Sequence, residues 1–283
     1  MTAYPATLAT EDRHAHEAEV YDAMAHDMLA TLSDDELRVG ADHIPFANRE
    51  HVDYLTYAIR QLGPLEGKRI LEVGVGGGSL AAYLALQGAD VTGIDVSEGI
   101  LEVAAKRADV SGVGGRVRLV QSPVEEFSDP LRFDAIIGNN VLHHFDLPVA
   151  LPNLRSLLRP GAPAIFCEPV LFVPEILRTI RYSKLVSRRF PPHVHTPDER
   201  SLDKKTIALL RSSFDSVHWV PFHVTCRLQH FVELTDRTWN RLERFDRALL
   251  KSVPFTRHAC RQVVLAMCMS TPDTVSSNDG DHS

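Results

Sequence analysis

From Lys68 onward the chain alternates between short buried β runs and amphipathic helices, and this alternation constrains the fold more than any other feature. KRILEVG (68–74) reads as a buried strand, SLAAYLALQG (79–88) as a helix closed by Gly88, and DVTGIDV (90–96) as the next strand. SEGILEVAAKRA (97–108) follows as a helix, with Ser97 as N-cap and Glu98 in the first turn. RVRLVQ (116–121), FDAIIGN (133–139) and APAIFCE (162–168) read as further strands, and LPVALPNLRSLLRPG (147–161) as a helix ending at Pro160-Gly161. Parallel strands need a crossover, and a helix supplies it. The expected fold is therefore α/β, a parallel sheet with helices on both faces.

The rhythm has edges. After Glu168, residues 170–200 carry a basic helical stretch, LRTIRYSKLVSRRF, and a Pro/His loop. The α/β pattern resumes with SLDKKTIALLRSSF (201–214) and DSVHWVPF (215–222). A helical segment, WNRLERFDRALL (239–250), then precedes the last strand, RQVVLAMCM (261–269). In front, the first fourteen residues lack a core pattern and are expected to fray. His16–Leu32 reads as a helix whose apolar stripe is Val20, Met24, Met28 and Leu32. Ser33 and Glu36 form a capping box, and a second helix after Asn48 carries Tyr54, Leu55, Ala58 and Ile59. The expected division is an N-terminal helical lid (1–62), a core (63–169), a lid insertion (170–200), the end of the core with a helical insertion at 223–257 (201–269), and a disordered tail (270–283).

Composition excludes several classes. A net charge of −7 over 283 residues argues against a nucleic-acid surface, which needs clustered Lys and Arg. The four cysteines (167, 226, 260, 268) share no C-x-x-C spacing, and His193-x-His195 sits in a Pro-rich loop without a carboxylate pair, so no metal site is expected. The N-terminus has no apolar h-region, and no apolar run reaches the ~18 residues of a membrane span. A cytoplasmic protein with reduced thiols is the expectation.

The chemistry concentrates in Ile70-Leu-Glu-Val-Gly-Val-Gly-Gly-Gly-Ser79, at a strand-to-helix turn. Glycines 74, 76 and 78 let the backbone turn sharply and approach a ligand. Dinucleotide-binding enzymes use such a turn too, but their third glycine would fall at Ser79. Glu72, two residues before the first glycine, would also repel a pyrophosphate, whereas it would help hold an ammonium group. Asp95, at the end of the second strand, follows the loop at the interval of a ribose-binding acid.

LEVGVGGGSLAAYLALQGADVTGIDVSEGILEVAAKRA resembles the first motif and second strand of class I S-adenosylmethionine (SAM)-dependent methyltransferases, and FDAIIGNNVLHHFDLPVALPNLRSLLRPGAPAIFCEP resembles their fourth strand, following helix and fifth strand. The resemblance covers residues 66–168. It implies a Rossmann-like sheet of seven strands, the last antiparallel, with SAM across the strands' carboxyl ends. Glu72, Gly74, Gly76 and Gly78 would surround the methionine end, Asp95 with Val96 beside it the ribose, and Asn139 and Asn140 the end of the fourth strand. Relatives often place an acid after the third strand for adenine. Here that position is Pro123, so adenine would rely on the Val124 amide and on Ser122 or Glu125.

Methyl transfer is an in-line displacement, so the protein mainly aligns a nucleophile and excludes water. His143 and His144 are the candidate bases, with His144 favoured. Tyr21 resembles a tyrosine that related enzymes carry on an N-terminal helix over the cofactor. Aromatic and histidine residues outside the common core (Tyr182, Phe190, Trp219, Phe222, His223, His230, Phe231) suggest an apolar, partly cyclic small-molecule acceptor. Chain length and the Tyr21 helix resemble natural-product C-methyltransferases of the teleocidin type, which methylate a prenyl alkene. There, aromatic faces rather than a base would stabilise a carbocation. The alternatives are an O- or N-methyltransferase with a histidine base, a nicotinamide-dependent oxidoreductase, and a non-catalytic SAM-binding protein. The long link through residues 33–47 would also let the N-terminal helix exchange within a homo-oligomer.

Overall fold

The computed structural model describes residues 10–44, 49–169, 202, 204–226, 234–253, 256 and 260–270. The expected insertion at 170–200, with Tyr182, Phe190, His193 and His195, lies outside the described residues, as do His230, Phe231 and, beyond Ser270, the tail. The strands are β1 (Arg69–Val73), β2 (Asp90–Asp95), β3 (Val117–Gln121), β4 (Ala135–Asn139), β5 (Pro163–Pro169), β6 (Ser216–Phe222) and β7 (Gln262–Cys268). They form one sheet in the order β3-β2-β1-β4-β5-β7-β6. All neighbours pair in parallel except β7, which runs antiparallel to β5 and β6.

Period-two alternation splits the core. On β1 and β4, Leu71, Val73 and Ile136 face one apolar cluster, with α6 (Leu147–Leu157) and α7 (Lys204–Ser213) packed on it. Ile70, Ala135 and Ile137 face the other, against α3 (Arg49–Gln61), α4 (Ser79–Leu86) and α5 (Glu98–Val110). Glu72 alternates in step with Ile70, which sends its carboxyl into the second, buried side. Val73 is level with Ile94 on β2 and with Gly138 on β4, so Gly74, Asp95 and Asn139 emerge together at one edge.

The N-terminal helix departs from its sequence reading in two ways. α1 spans Thr10–Thr31, so the segment expected to fray from residue 10 to 14 is helical and buries Arg13. The apolar stripe is also rotated. Val20 and Met24 are 41% and 50% exposed, and Ala25 is buried instead, with Tyr21, Met28, Leu29 and Leu32 around it against Ile100 and Val103 of α5. A spacing of four drifts by about 40° per step on a helix of 3.6 residues per turn. Four such residues therefore cannot share one narrow face. Polar chemistry fixes the rotation: the Asp22 carboxylate accepts from the Gly99 amide (2.9 Å) and the Ser97 hydroxyl (2.5 Å) at the amino end of α5. α1 thus packs against α5. The Ser33–Glu36 capping box is present at the start of α2 (Asp34–Leu37).

Candidate functional site

A cavity of about 430 Å³ opens at the carboxyl edge of β1, β2 and β4. Its floor is the glycine-rich turn. Asp95 Oδ2 accepts from the Gly76 amide (3.0 Å) and Oδ1 from the Ser97 amide (3.2 Å), so the second-strand acid braces the turn while retaining lone pairs toward the cavity. Behind the turn, Glu72 is buried, and its Oε2 has no hydrogen-bond partner among the described residues; Asn139 Oδ1 is likewise buried without one. Two orphaned acceptors beside one turn form a seat for a donor with positive charge, because a buried acceptor left unpaired is costly.

The acids reinforce that reading. Burial, and then the neighbouring Asp95 carboxylate, pushes the Glu72 carboxyl well above the usual range. Burial raises Asp95 too, against three backbone amides that lower it. A bound cation would relieve both, whereas a pyrophosphate would aggravate them.

The other wall comes from α1 and from the turn after β4. His14, Glu17, Tyr21 and Met24 line the cavity from α1, and Asn140, Val141, His144 and Phe145 line it from the turn. Glu17 Oε1 lies 3.4 Å from His144 Nδ1. Burial, then Asp95, lifts Glu17 to about 7, while burial, then His143 and Arg13, lowers His144 to about 3. The pair is therefore a carboxyl against a neutral imidazole rather than an ion pair.

Of the residues expected from the sequence, Gly74, Gly76, Asp95, Val96, Ser122, Val124, Glu125, Asn139, Asn140, His144 and Tyr21 all line this cavity. Glu72, Gly78 and His143 are not among its lining residues. Glu72 sits behind the turn, and Gly78, at the N-cap of α4, packs on Ala104. His143 turns away to a fully buried partner: its Nδ1 is 2.7 Å from Glu168 Oε2, and Glu168 Oε1 accepts from the amides of Val141 (3.0 Å) and Leu142 (2.8 Å). Glu125 is engaged as well, accepting from the Asp146 amide (2.8 Å), with His14 at 3.6 Å from its other oxygen. Glu17, His14 and Glu168 are the residues the sequence reading missed. Their partners lie 25 or more positions away, and no local spacing signals them.

Trp219, Phe222 and His223, expected to shape the acceptor's pocket, are not among the lining residues of this cavity. β6 stands three strands from β4, about 14 Å at the usual strand spacing. These residues line a second cavity, of about 590 Å³, between α3, β6 and α8 (Asp236–Ser252). It lacks the glycine-rich turn and the strand-end acids.

The first cavity suits SAM. Asn139 Oδ1 would accept from its ammonium, with the Glu72 carboxyl behind the turn adding negative charge, Asp95 would accept from the ribose hydroxyls, and the Gly76 backbone leaves open space beside them. A methyltransferase-domain family model matches residues 70–161. The chain is 44% identical over 115 residues to the ubiquinone biosynthesis O-methyltransferase of Alkalilimnicola ehrlichii, which covers 40% of this chain and 46% of that protein. It is 30% identical over 189 residues to the Vibrio cholerae protein of the same name, covering 64% and 76%. The chain spans about half the length of the first curated relatives it matches. Its fold is shared with a phosphoethanolamine N-methyltransferase of Haemonchus contortus solved with S-adenosylhomocysteine, at a TM-score of 0.58 and 14% identity, covering 95% of this chain and 62% of that one. Among the described residues, no helix is long and apolar enough to cross a membrane. A seven-stranded sheet with an antiparallel last strand, a glycine turn flanked by unpaired acceptors, and these relatives agree: the chain belongs to the class I SAM-dependent methyltransferases.

Proposed function

We propose that this protein transfers the methyl group of SAM to the oxygen of an apolar small-molecule acceptor held between α1 and the turn after β4. The observation that carries the reading is the apolar share of the lining: Tyr21 and Met24 from α1 and Val141 and Phe145 from the turn after β4 supply apolar surface in the same cavity as the glycine turn and Asp95. A wall that mixes these apolar side chains with Glu17 and His144, beside a polar cofactor floor, suits an acceptor with a hydrophobic body and one polar atom. The curated relatives, O-methyltransferases of ubiquinone biosynthesis, support oxygen as the acceptor atom and do not support a secondary-metabolite acceptor. In this reading Asp95, Val96 and the glycine turn hold the nucleoside and methionine ends, Ser122 and the Val124 amide hold adenine, and α1 closes the site against water. SAM supplies an electrophilic methyl on sulfur, and the chain's residues orient the acceptor in line with it.

Methylation of a prenyl alkene on carbon is the second reading. The Tyr21 and Phe145 rings at the wall favour it, since aromatic faces stabilise a cation. Incubation of the protein with methyl-labelled SAM and a set of alkylated phenols, catechols and prenylated indoles, read by mass spectrometry, separates the two. Label on oxygen of a phenolic acceptor supports the first reading, and label confined to alkene carbon overturns it. Calorimetry showing no SAM binding would remove both.

A further inference from the structure

We propose that Glu17, carried into the site by α1, is the general base of the transfer, with His144 positioning its carboxyl. This rests on the oxygen-acceptor reading and adds to it the group that takes the acceptor's proton.

Glu17 from α1 and His144 from the turn after β4 both line the cavity, and they meet at 3.4 Å. Both side chains are largely withdrawn from solvent, at 14% and 18% exposure for His144 and Glu17. The groups acting on Glu17 come from every neighbouring element: Asp95 at the end of β2, Glu125 after β3 and His143 after β4, together with Arg13 one turn back on α1. Burial raises its carboxyl most, and Asp95 and Glu125 add to this against His143 and Arg13, so Glu17 holds its proton to near neutrality, the range in which a carboxylate works as a base. His144 stands in the opposite condition. Burial beside His143 and Arg13 keeps it neutral far into acid, so it is a feeble proton acceptor. A neutral imidazole can instead offer one nitrogen to the Glu17 carboxyl and so fix its direction. His143 is committed to Glu168. Of the two groups in this contact, Glu17 is the one whose proton affinity lies near neutrality.

The step balances without a further reactant. The ionised Glu17 carboxylate takes the acceptor's O–H proton, and the acceptor oxygen forms its new bond to the methyl carbon. The electron pair of the breaking carbon–sulfur bond returns to sulfur, giving a methyl ether and S-adenosylhomocysteine. Glu17 then releases its proton to water when α1 lifts. Because the base rides on α1, the proton acceptor arrives only when the site is covered.

Three measurements test the assignment. In carboxyl-labelled protein, a glutamate resonance should titrate near pH 7 by carbon NMR and be absent from Glu17→Gln. Turnover of an alkylcatechol by Glu17→Gln should fall by roughly 100- to 10,000-fold, the range lost with a general base. Calorimetric SAM affinity should stay within about twofold. A nitrocatechol that is already ionised at the assay pH needs no base, so Glu17→Gln should methylate it at close to the wild-type rate. Glu17→Asp keeps the charge and withdraws the carboxyl by one methylene; it should retain a titrating group and recover part of the rate. Equal losses on both catechols would overturn the assignment by making Glu17 a packing contact. So would full activity of Glu17→Gln on the alkylcatechol, or the absence of a resonance that titrates near pH 7 and is lost in Glu17→Gln. The titration needs no acceptor, so it can overturn the assignment even where neither catechol is turned over. Loss of SAM binding by the wild type would instead strike the methyltransferase reading.

Discussion

Two neighbouring glycines separate what the turn does for the fold from what it does for the ligand. Gly78 has φ +76°, and a Cβ placed on it would lie 2.7 Å from Ala104 Cβ and 2.8 Å from Ala104 Cα. The second contact is to backbone, so no rotamer relieves it, and α5 would have to move away from α4. The left-handed conformation costs about 1–2 kcal/mol for a residue with Cβ. Overpacking adds about 1–3 kcal/mol, so Gly78→Ala should lose roughly 2–5 kcal/mol of stability. Gly76 also has a positive φ, +50°, but a Cβ there meets nothing within 4 Å. Gly76→Ala should therefore lose only the conformational part, about 1–2 kcal/mol. Gly76 lines the cavity, so intrusion of its methyl on the ligand, worth about 1–3 kcal/mol, would weaken SAM binding by roughly 5- to 150-fold. Urea denaturation and calorimetry, run on both variants, give the comparison. Equal destabilisation of the two, or wild-type SAM affinity in Gly76→Ala, would refute the placement of these glycines.

Three further predictions follow from the same geometry. Asp95→Ala should lower SAM affinity by about 1–3 kcal/mol, the value of a charge-assisted hydrogen bond, and Glu72→Gln should lower it as well; calorimetry with wild-type affinity in both would remove the acids from the site. Deletion of residues 1–32 should abolish turnover while the far-ultraviolet circular dichroism of the sheet persists, and retained turnover would show that α1 only packs. Glu17, raised from 4.5 to about 7, binds more proton folded than unfolded, so its contribution declines as pH rises from about 4.5 to 7 and is gone above; His144, lowered from 6.5 to about 3, contributes the opposite slope between about 3 and 6.5. The difference in stability between wild type and Glu17→Gln isolates the first: it should shift against the wild type across pH 4.5–7 in urea titrations, and a flat difference would contradict the burial of Glu17.

Much of the sheet was legible because each strand is a short apolar run closed by glycine, proline or a cap. Gly74, Asp95 and Asn139 could be placed because a strand's last residue opens onto a parallel sheet's carboxyl edge. Ser33 and Glu36 were legible because a capping box is complete within four residues. The α1 stripe was misread because an apolar spacing of four suggests a face without fixing its rotation. That rotation is set by Asp22 and by the small Ala25, whose partners at Ser97 and Gly99 lie more than seventy positions on. Glu17 and Glu168 were illegible for a related reason. Glu17 looks like one more acid on a polar helix, and Glu168 like the end of a strand. Each acquires meaning only from a histidine brought to it by the fold. Trp219 and Phe222 show the converse, since aromatic richness signals a cavity but does not say which one.

The contacts of Asp22 have a thermodynamic consequence. The Gly76 amide, the Asp95 carboxylate, Ser97 and Asp22 form one unbroken series of hydrogen bonds from the glycine turn to α1. Any free energy transmitted along such a series is the same in both directions. If SAM at Asp95 tightens the hold of α5 on α1, the seating of α1 must raise SAM affinity by the same factor. In an open-and-closed equilibrium of this helix, the cofactor then acts as an effector of the closed state, and the share of molecules closed at a given SAM concentration is set by that one coupling energy.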